Sequence, residues 1–143
     1  MGSSYERYET KFLMFAEWAI DIARLSTCKR LAVGTIVTDL EFTRVLAVGY
    51  NGQPVGKPNE ACEDVAGNCG CVHSEANALI KRVTFEPAIM ISTHSPCKHC
   101  DGLIRNARIV ETFYWYDYRV KCDSYVKIHE HSKRLREIYD SIR

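Results

Sequence analysis

The sequence predicts a three-layer α/β/α domain in which helices cover both faces of a central mixed sheet. Apolar segments typical of strands alternate with amphipathic segments typical of helices, in the order αββαβαβα. Only a short turn separates the first two strands, which indicates a hairpin, whereas a helix precedes each later strand. A chain of 143 residues has room for one compact domain, which we expect to span 1–143.

Each element follows from local patterning. Apolar residues recur at helical spacing over Tyr5–Leu25. The segments Leu31–Thr38 and Val45–Tyr50 are rich in β-branched and apolar residues, as strands are. Frequent Gly and Pro up to residue 68 then predict a long loop. The predicted elements are helix Tyr5–Leu25, strands Leu31–Thr38 and Val45–Tyr50, helix His73–Arg82, strand Ala88–Thr93, helix Cys97–Ala107, strand Ile109–Tyr116 and helix Val126–Ile142.

Composition excludes several classes of function. The net charge of +1 gives no general attraction to polynucleotides or membrane surfaces. No apolar run approaches the roughly 20 residues that span a bilayer, and the first residues lack the layout of a signal peptide. Without a secretory signal, we expect the seven cysteines to be metal ligands or buried thiols in a cytoplasmic protein.

A metal-binding pattern links the second and third predicted helices. His73 opens one helix, and Cys97 and Cys100 lie three residues apart at the start of the other, with Pro96 suited to its first turn. Imidazole and thiolate groups are zinc ligands, and a helix amino terminus favours thiolates. Three protein ligands leave the fourth tetrahedral position open to water, as in catalytic zinc sites.

Glu75, two residues after His73, is the candidate proton shuttle. Two thiolates weaken zinc as a Lewis acid, so a second group is needed that takes a proton from water as a base and then delivers protons to the ring nitrogen and the leaving amine as an acid. The pattern His-x-Glu followed by Pro-Cys-x-x-Cys is typical of zinc deaminases. The alternative is a closed structural zinc site, completed by His94 or His99, with Glu75 as an ordinary helix residue.

Further motifs extend the similarity. In order, they are Ser26–Val37 (STCKRLAVGTIV), Gly49–Gly56 (GYNGQPVG), His73-Ser74-Glu75 and Pro96-Cys97-Lys98-His99-Cys100. Together they resemble the deoxycytidylate deaminase family over roughly residues 10 to 120, although that family usually has alanine where this chain has Ser74. The resemblance implies a cytidine-deaminase-like fold and zinc-dependent hydrolysis of dCMP to dUMP, a precursor of dTTP. Deamination of cytidine, guanine or another base, and a non-catalytic zinc module that senses nucleotides, are the alternatives.

The resemblance also implies substrate contacts. Cytosine would meet the Ser74 backbone N–H and the Glu75 carboxyl, and the leaving amine would face the Ser95 carbonyl. Asn51 would contact the deoxyribose or the base, although Asn followed by Gly is also an ordinary tight turn.

The phosphate of the substrate needs a local cation, and Lys29 and Arg30 are the candidates that the resemblance offers. Tyr116 and Tyr118 are weaker candidates for stacking on the base, because alternation along a strand already accounts for one inward-facing aromatic side chain.

Four further cysteines fall outside the catalytic pattern. Some phage members of the family carry a second, structural zinc at positions that resemble Cys28 and Cys62, and Cys69 and Cys71 would complete a four-thiolate site. Buried free thiols are the alternative. No role follows for Cys122.

Finally, the resemblance implies regulation and assembly. Many members of the family are homohexamers that dCTP with Mg²⁺ activates and dTTP inhibits. For a phage-encoded member the location would be the host cytoplasm. Candidate phosphate or effector contacts are Lys29, Arg30, Gly49, Tyr50, Gly52 and Tyr118.

Overall fold

A computed structural model describes residues 4–117, 125–128 and 132–142 of the chain. Two predicted positions, Tyr118 and Cys122, lie outside the described residues. The helices are α1 (Ser4–Ala23), α2 (Ser74–Lys81), α3 (Lys98–Asn106) and α4 (Ser132–Asp140). The strands are β1 (Gly34–Thr38), β2 (Val45–Tyr50), β3 (Ala88–Ser92), β4 (Ile109–Tyr114) and β5 (Val126–Lys127), and a short 3₁₀ turn spans Asn59–Ala61.

The strands form one mixed sheet in the order β2-β1-β3-β4-β5. Strand β1 is antiparallel to both of its neighbours, whereas β3, β4 and β5 run parallel to one another. The predicted hairpin is therefore the antiparallel part of the sheet, and the later strands with their intervening helices make the parallel part.

Side chains of the central strands alternate between the two faces of the sheet and pack into two hydrophobic cores, one on each face. Ile36 packs on one face with apolar residues of α1 and α4, such as Ile20 and Leu135. Its neighbour Val37 packs on the other face with residues of α2 and α3, among them Ile104. The structure thus confirms the predicted three-layer α/β/α architecture.

The predicted final helix begins too early. Val126 and Lys127 pair with Phe113 and Tyr114 as β5, and α4 begins only at Ser132. The Ile128 N–H also donates to the Tyr114 carbonyl at 2.7 Å. The open edge of β4 offers hydrogen bonds that helical periodicity does not reveal, so tertiary pairing overrides the local pattern.

None of the helices in the described ranges is both long enough and apolar enough to cross a membrane.

Gly49 allows β2 to lie directly against the first turns of α2. A Cβ atom at this position would come within 2.3 Å of the Ser74 carbonyl oxygen and 2.5 Å of the Ala78 nitrogen. Both are backbone atoms, which cannot rotate away as a side chain would. The glycine therefore sets the distance between the sheet and the helix that carries Ser74 and Glu75.

We expect Gly49→Ala to lower the free energy of unfolding by about 1–3 kcal/mol, because the added methyl overpacks this contact. Chemical denaturation would measure the change. Gly102→Ala is the matched control, since a Cβ at Gly102 within α3 meets nothing within 4 Å. Alanine there should stabilise the protein by about 0.5–1 kcal/mol. Equal effects of the two substitutions would contradict the packing argument.

Candidate metal centre and nucleotide cavity

The amino termini of α2 and α3 meet on one side of the sheet. His73 is the N-cap of α2 and Cys97 is the N-cap of α3, each with an extended backbone. The His73 Nδ1 atom lies 3.3 Å from Cys97 Sγ and 3.5 Å from Cys100 Sγ. The structure therefore brings together the three predicted metal ligands.

The third helix begins one residue later than predicted. Cys97 lies outside the helical backbone, and its carbonyl accepts the first helical hydrogen bond from the Asp101 N–H at 2.9 Å. Pro96 consequently precedes the N-cap instead of occupying the first turn. The extended backbone at Cys97 turns its sulfur towards α2, whereas Cys100 reaches the same point from within the helix.

These separations fit a tetrahedral zinc site. Zn–N and Zn–S bonds of about 2.05 and 2.3 Å at tetrahedral angles place the two donor atoms about 3.6 Å apart. The three donor atoms lie within 4.8 Å of one another, and among the described residues no fourth His, Cys, Asp or Glu belongs to the group. A set of three protein ligands is that of a catalytic site.

Neither of the alternative histidine ligands joins this group. His99 is exposed. His94 is buried, and its Nδ1 atom lies 2.8 Å from the Thr93 hydroxyl. The geometry does not support a closed structural site completed by either residue.

The two cysteines share one hydrogen bond and titrate very differently. The pKa of Cys97 is lowered to about 3, first because Cys100 donates a hydrogen bond to its sulfur and then because His73 lies beside it. The same contact, together with burial, raises the pKa of Cys100. A metal ion that binds both sulfurs would release the remaining thiol proton.

Glu75 lies beside this group, with only 4% of its surface exposed. Its carboxylate accepts a hydrogen bond from the Ser74 hydroxyl at 2.7 Å. It lines a cavity of about 260 Å³ together with His73 and Cys97. The candidate shuttle and two of the three candidate ligands therefore border the same space.

The predicted substrate-contacting residues Asn51, Ser74 and Ser95 line the same cavity. Ser95 is buried, and within the described part of the chain its hydroxyl has no hydrogen-bond partner. Buried hydroxyls are normally paired, so the Ser95 hydroxyl is free to bond a molecule in the cavity.

Asn51 does more than form a turn. Its Oδ1 accepts from the Ser26 hydroxyl at 2.6 Å and from the Val33 N–H at 2.9 Å, and its Nδ2 donates to the Leu31 carbonyl at 2.7 Å. The amide thereby holds the segment that carries Arg30. One hydrogen on Nδ2 is left over, and it can donate to a ligand.

The two candidate cations differ in position. Among the described residues, Arg30 is the one Lys or Arg that lines the cavity. The Lys29 ammonium donates instead to the Glu60 carbonyl at 3.3 Å, on the exposed surface of the long loop. This geometry favours Arg30 as the partner of an anionic group in the cavity.

His94 belongs to the cavity wall, a role that the sequence analysis did not assign. Burial lowers its pKa to about 4, so the imidazole is neutral at neutral pH. Its ring stacks on Tyr116 with the centroids 5.1 Å apart. Tyr116 therefore packs behind the wall formed by His94. The position of His94 just after the end of buried β3 is the signal that would have identified it.

The remaining described cysteines form a second cluster beside the cavity. Cys28, Cys62, Cys69 and Cys71 have all four sulfurs within 4.8 Å of one another, and all four are free thiols. The Cys28 and Cys69 sulfurs are 3.9 Å apart. A tetrahedral zinc with four thiolates requires about 3.8 Å, whereas a disulfide requires about 2.05 Å.

Backbone N–H groups also point at this cluster. Those of Lys29 and Asp64 donate to the Cys62 sulfur and lower its pKa to about 7. Burial raises the pKa of Cys69 and of Cys71. Donors aimed at one sulfur favour a thiolate there, as a metal site requires.

Of the other predicted effector contacts, Gly49 and Tyr50 lie in β2. The Gly52 N–H donates to the Val72 carbonyl at 3.2 Å, so it is not available to a phosphate. Lys81 lies over the Tyr50 ring, 5.4 Å from its centroid. The described residues of this group thus have partners within the protein.

Comparison with known proteins gives one consistent family. Residues 10–116 match the model of the cytidine and deoxycytidylate deaminase zinc-binding region. The chain is 36% identical to ComE operon protein 2 of Bacillus subtilis over 107 residues, which cover 68% of this chain and 55% of that protein. It is 33% identical to the deoxycytidylate deaminase of Mycobacterium phage D29 over 109 residues, 64% of this chain and 84% of the relative.

Among solved structures, the dCMP deaminase of cyanophage S-TIM5 in complex with dCMP and dUMP superposes with a TM-score of 0.67 and 26% identity. The match covers 99% of this chain and 94% of that one. The chain spans about half the length of the Bacillus relative and 37% of the deoxycytidylate deaminase of Schizosaccharomyces pombe.

Proposed function

Because the chain belongs to the family of cytidine and deoxycytidylate deaminases, we propose that it hydrolyses dCMP to dUMP and ammonia. One observation carries the proposal: among the described residues, two members of the three-ligand group (His73 and Cys97), the buried Glu75 carboxylate and one arginine (Arg30) border the same cavity. The product dUMP would supply dTTP synthesis.

Zinc fits the donor set, and His73, Cys97 and Cys100 would hold it. When bound, zinc supplies Lewis acidity that lowers the pKa of a water molecule towards neutrality. His73 and Cys97 line the cavity together with Glu75, so a water held at this site would lie beside the carboxylate.

Glu75 moves the protons of the reaction. Hydrolysis forms a bond between the water oxygen and C4 of the pyrimidine and breaks the bond between C4 and the exocyclic nitrogen. The Glu75 carboxylate first accepts a proton from water and passes it to the ring nitrogen N3. It then accepts the second proton from the new hydroxyl on C4 and passes it to the amine, which departs as ammonia while the C4 carbonyl forms. Its burial excludes bulk water from these transfers.

The cavity wall provides the contacts that would select a nucleotide. Arg30 offers a planar, permanently charged guanidinium to the 5′-phosphate. The Ser95 hydroxyl and the remaining Asn51 hydrogen offer neutral contacts to the base or sugar. The Ser95 carbonyl and the Ser74 backbone N–H are proposed to contact the leaving amine and the ring.

A substrate panel tests the proposal. We expect dCMP to be turned over well, and deoxycytidine, cytidine, dCTP and guanine poorly. Only dCMP has both a cytosine amine for the catalytic group and a single phosphate for the one nearby cation, Arg30. Arg30→Ala should raise KM for dCMP by about 10- to 100-fold, the cost of losing a hydrogen bond to a charged group. It should leave deoxycytidine turnover unchanged.

Lys29→Ala is the matched control, since this side chain points away from the cavity and should leave KM for dCMP unchanged. Preferred turnover of cytidine or guanine by the unaltered protein would reject dCMP as the substrate. A larger effect of Lys29→Ala than of Arg30→Ala would reject the phosphate assignment alone.

We also propose that the four clustered cysteines hold a second, structural zinc. The 3.9 Å separation of Cys28 and Cys69 and the two N–H donors at Cys62 support it. The cluster would anchor the long loop, in whose described residues the one helical element is a short 3₁₀ turn. Because Cys28, Cys69 and Cys71 also line the cavity, the ion would stabilise that wall.

Activation by dCTP with Mg²⁺, inhibition by dTTP and a homohexameric assembly are further proposals that rest on the family. For assembly, the exposed apolar side chains of Met14 and Trp18 on α1 are additional support. The panel is therefore run with and without dCTP and Mg²⁺. A hyperbolic response to dCMP that dCTP does not alter would reject the activation.

A further inference from the structure

One carboxylate oxygen of the proposed shuttle, Glu75, forms a ring of contacts with three hydroxyl oxygens. Glu75 Oε1 accepts hydrogen bonds from the Ser74 hydroxyl at 2.7 Å and from the Ser92 hydroxyl at 3.3 Å. The Thr35 hydroxyl closes the ring, 2.8 Å from Ser74 Oγ and 3.1 Å from Ser92 Oγ. Each of the four residues is at most 4% exposed, so the ring is shielded from bulk water.

The fold assembles this ring from three elements. Thr35 and Ser92 are directly opposite each other in the antiparallel pair of β1 and β3, so their side chains leave the same face of the sheet. The first turn of α2 lies on that face and contributes Ser74 and Glu75. Hydroxyls on two central, fully buried strands are costly unless they are paired, and here they pair with one another and with the carboxylate.

The ring gives the two carboxylate oxygens of Glu75 different roles. Two hydroxyl donors occupy Oε1, and their fixed directions set the rotation of the carboxylate. The Cys100 thiol also hydrogen-bonds to this carboxylate, and Oε2 is the oxygen that we assign to proton exchange in the cavity. The closer of the two donors is Ser74, at the position where the family pattern usually has alanine and therefore no hydroxyl.

We propose that Ser74 is a positioning residue: in a ring with Thr35 and Ser92, its hydroxyl holds Glu75 Oε1 and thereby presents Oε2 to the substrate. This role of the side chain is separate from the backbone contact proposed for the same residue, and it rests on the proposed function of Glu75. The ring acts on proton transfer and not on substrate affinity.

The activity test uses the zinc-loaded protein and dCMP. We expect Ser74→Ala to lower kcat by about tenfold through loss of carboxylate orientation, with KM and zinc content unchanged. Ser92→Ala should cost less because its contact is longer, and Thr35→Val should cost least because Thr35 does not contact Glu75. Ser141→Ala, at an exposed serine after α4, is the matched control and should leave kcat unchanged.

Three activity outcomes would overturn the proposal. They are an unchanged kcat in Ser74→Ala, a rise in KM without a fall in kcat, and a loss of zinc that accounts for the lost activity. A double variant adds a fourth criterion. In a Glu75→Gln background, Ser74→Ala should cause no further loss, because the hydroxyl acts through the carboxylate.

A spectroscopic measurement separates this proposal from the proposed function. Infrared difference spectra between the unaltered protein and Glu75→Gln isolate the carboxylate stretching bands of Glu75. Ser74→Ala should shift those bands, since it removes the shorter of the two hydroxyl hydrogen bonds to the carboxylate, and Ser141→Ala should not. Failure to deaminate dCMP with a shifted band rejects only the function, whereas an unshifted band overturns the ring proposal whatever the substrate.

Discussion

Glu75→Gln is expected to lower kcat for dCMP by about 10²- to 10⁴-fold, the usual contribution of a general acid–base group. Glutamine has nearly the same shape as glutamate and can still accept the hydrogen bonds of Ser74 and Ser92 on its amide oxygen. It cannot take a proton from water and pass it to the leaving amine. The loss should therefore fall on kcat while KM changes little.

Steady-state kinetics would measure this change, with zinc content determined on the same preparation. Glu41→Gln, at an exposed glutamate in the turn between β1 and β2, is the matched control for the loss of one carboxylate. Retention of zinc together with loss of turnover is the expected combination. Activity within a few-fold of the unaltered protein would exclude Glu75 as the shuttle.

Loss of the first metal site is the other change with a large expected effect. Replacing Cys100 by alanine removes one of three ligands, and we expect it to lower kcat/KM by about 10³-fold or more, which corresponds to several kcal/mol of transition-state stabilisation. Elemental analysis should find two zinc ions per unaltered chain and one per Cys100→Ala chain.

Cys62→Ala is the paired variant for the second cluster. It should also lose one zinc ion, but it should lower thermal stability more than catalysis, because the second ion is proposed to hold the loop. If the unaltered chain holds a single zinc ion and Cys100→Ala removes it, the proposal of a second zinc site is rejected, and the proposal of the first site stands. Full activity after complete removal of metal by a chelator would reject the zinc mechanism altogether.

Local sequence patterns predicted the features in which short spacing decides the geometry. Cys97 and Cys100 are three residues apart, a spacing that keeps two side chains close at the start of a helix. His73 precedes Glu75 by two residues and reaches the same space from the extended N-cap of α2. The three-layer fold followed similarly from alternating strand and helix patterns, and the structure confirms it. The chemistry proposed for the site was thus available before any long-range contact was known.

Other features depend on contacts between residues that are distant in sequence. Arg30 is preferred over its neighbour Lys29 because the 26–33 segment is held by Asn51 in one orientation. Val126 forms a strand because β4 has an open edge. The periodicity of the local sequence predicts neither feature, because both depend on contacts with parts of the fold that are distant in sequence.

The oxygen ring shows the same division within one site. By itself, the sequence determined that a serine precedes the proposed shuttle. Only the tertiary structure decided that Thr35 and Ser92, 57 residues apart, lie opposite each other beneath that serine. The physical reason is strand register: a shift of β1 by one residue against β3 would turn the Thr35 hydroxyl to the other face of the sheet, and Ser74 and Ser92 would lose the hydroxyl that joins them.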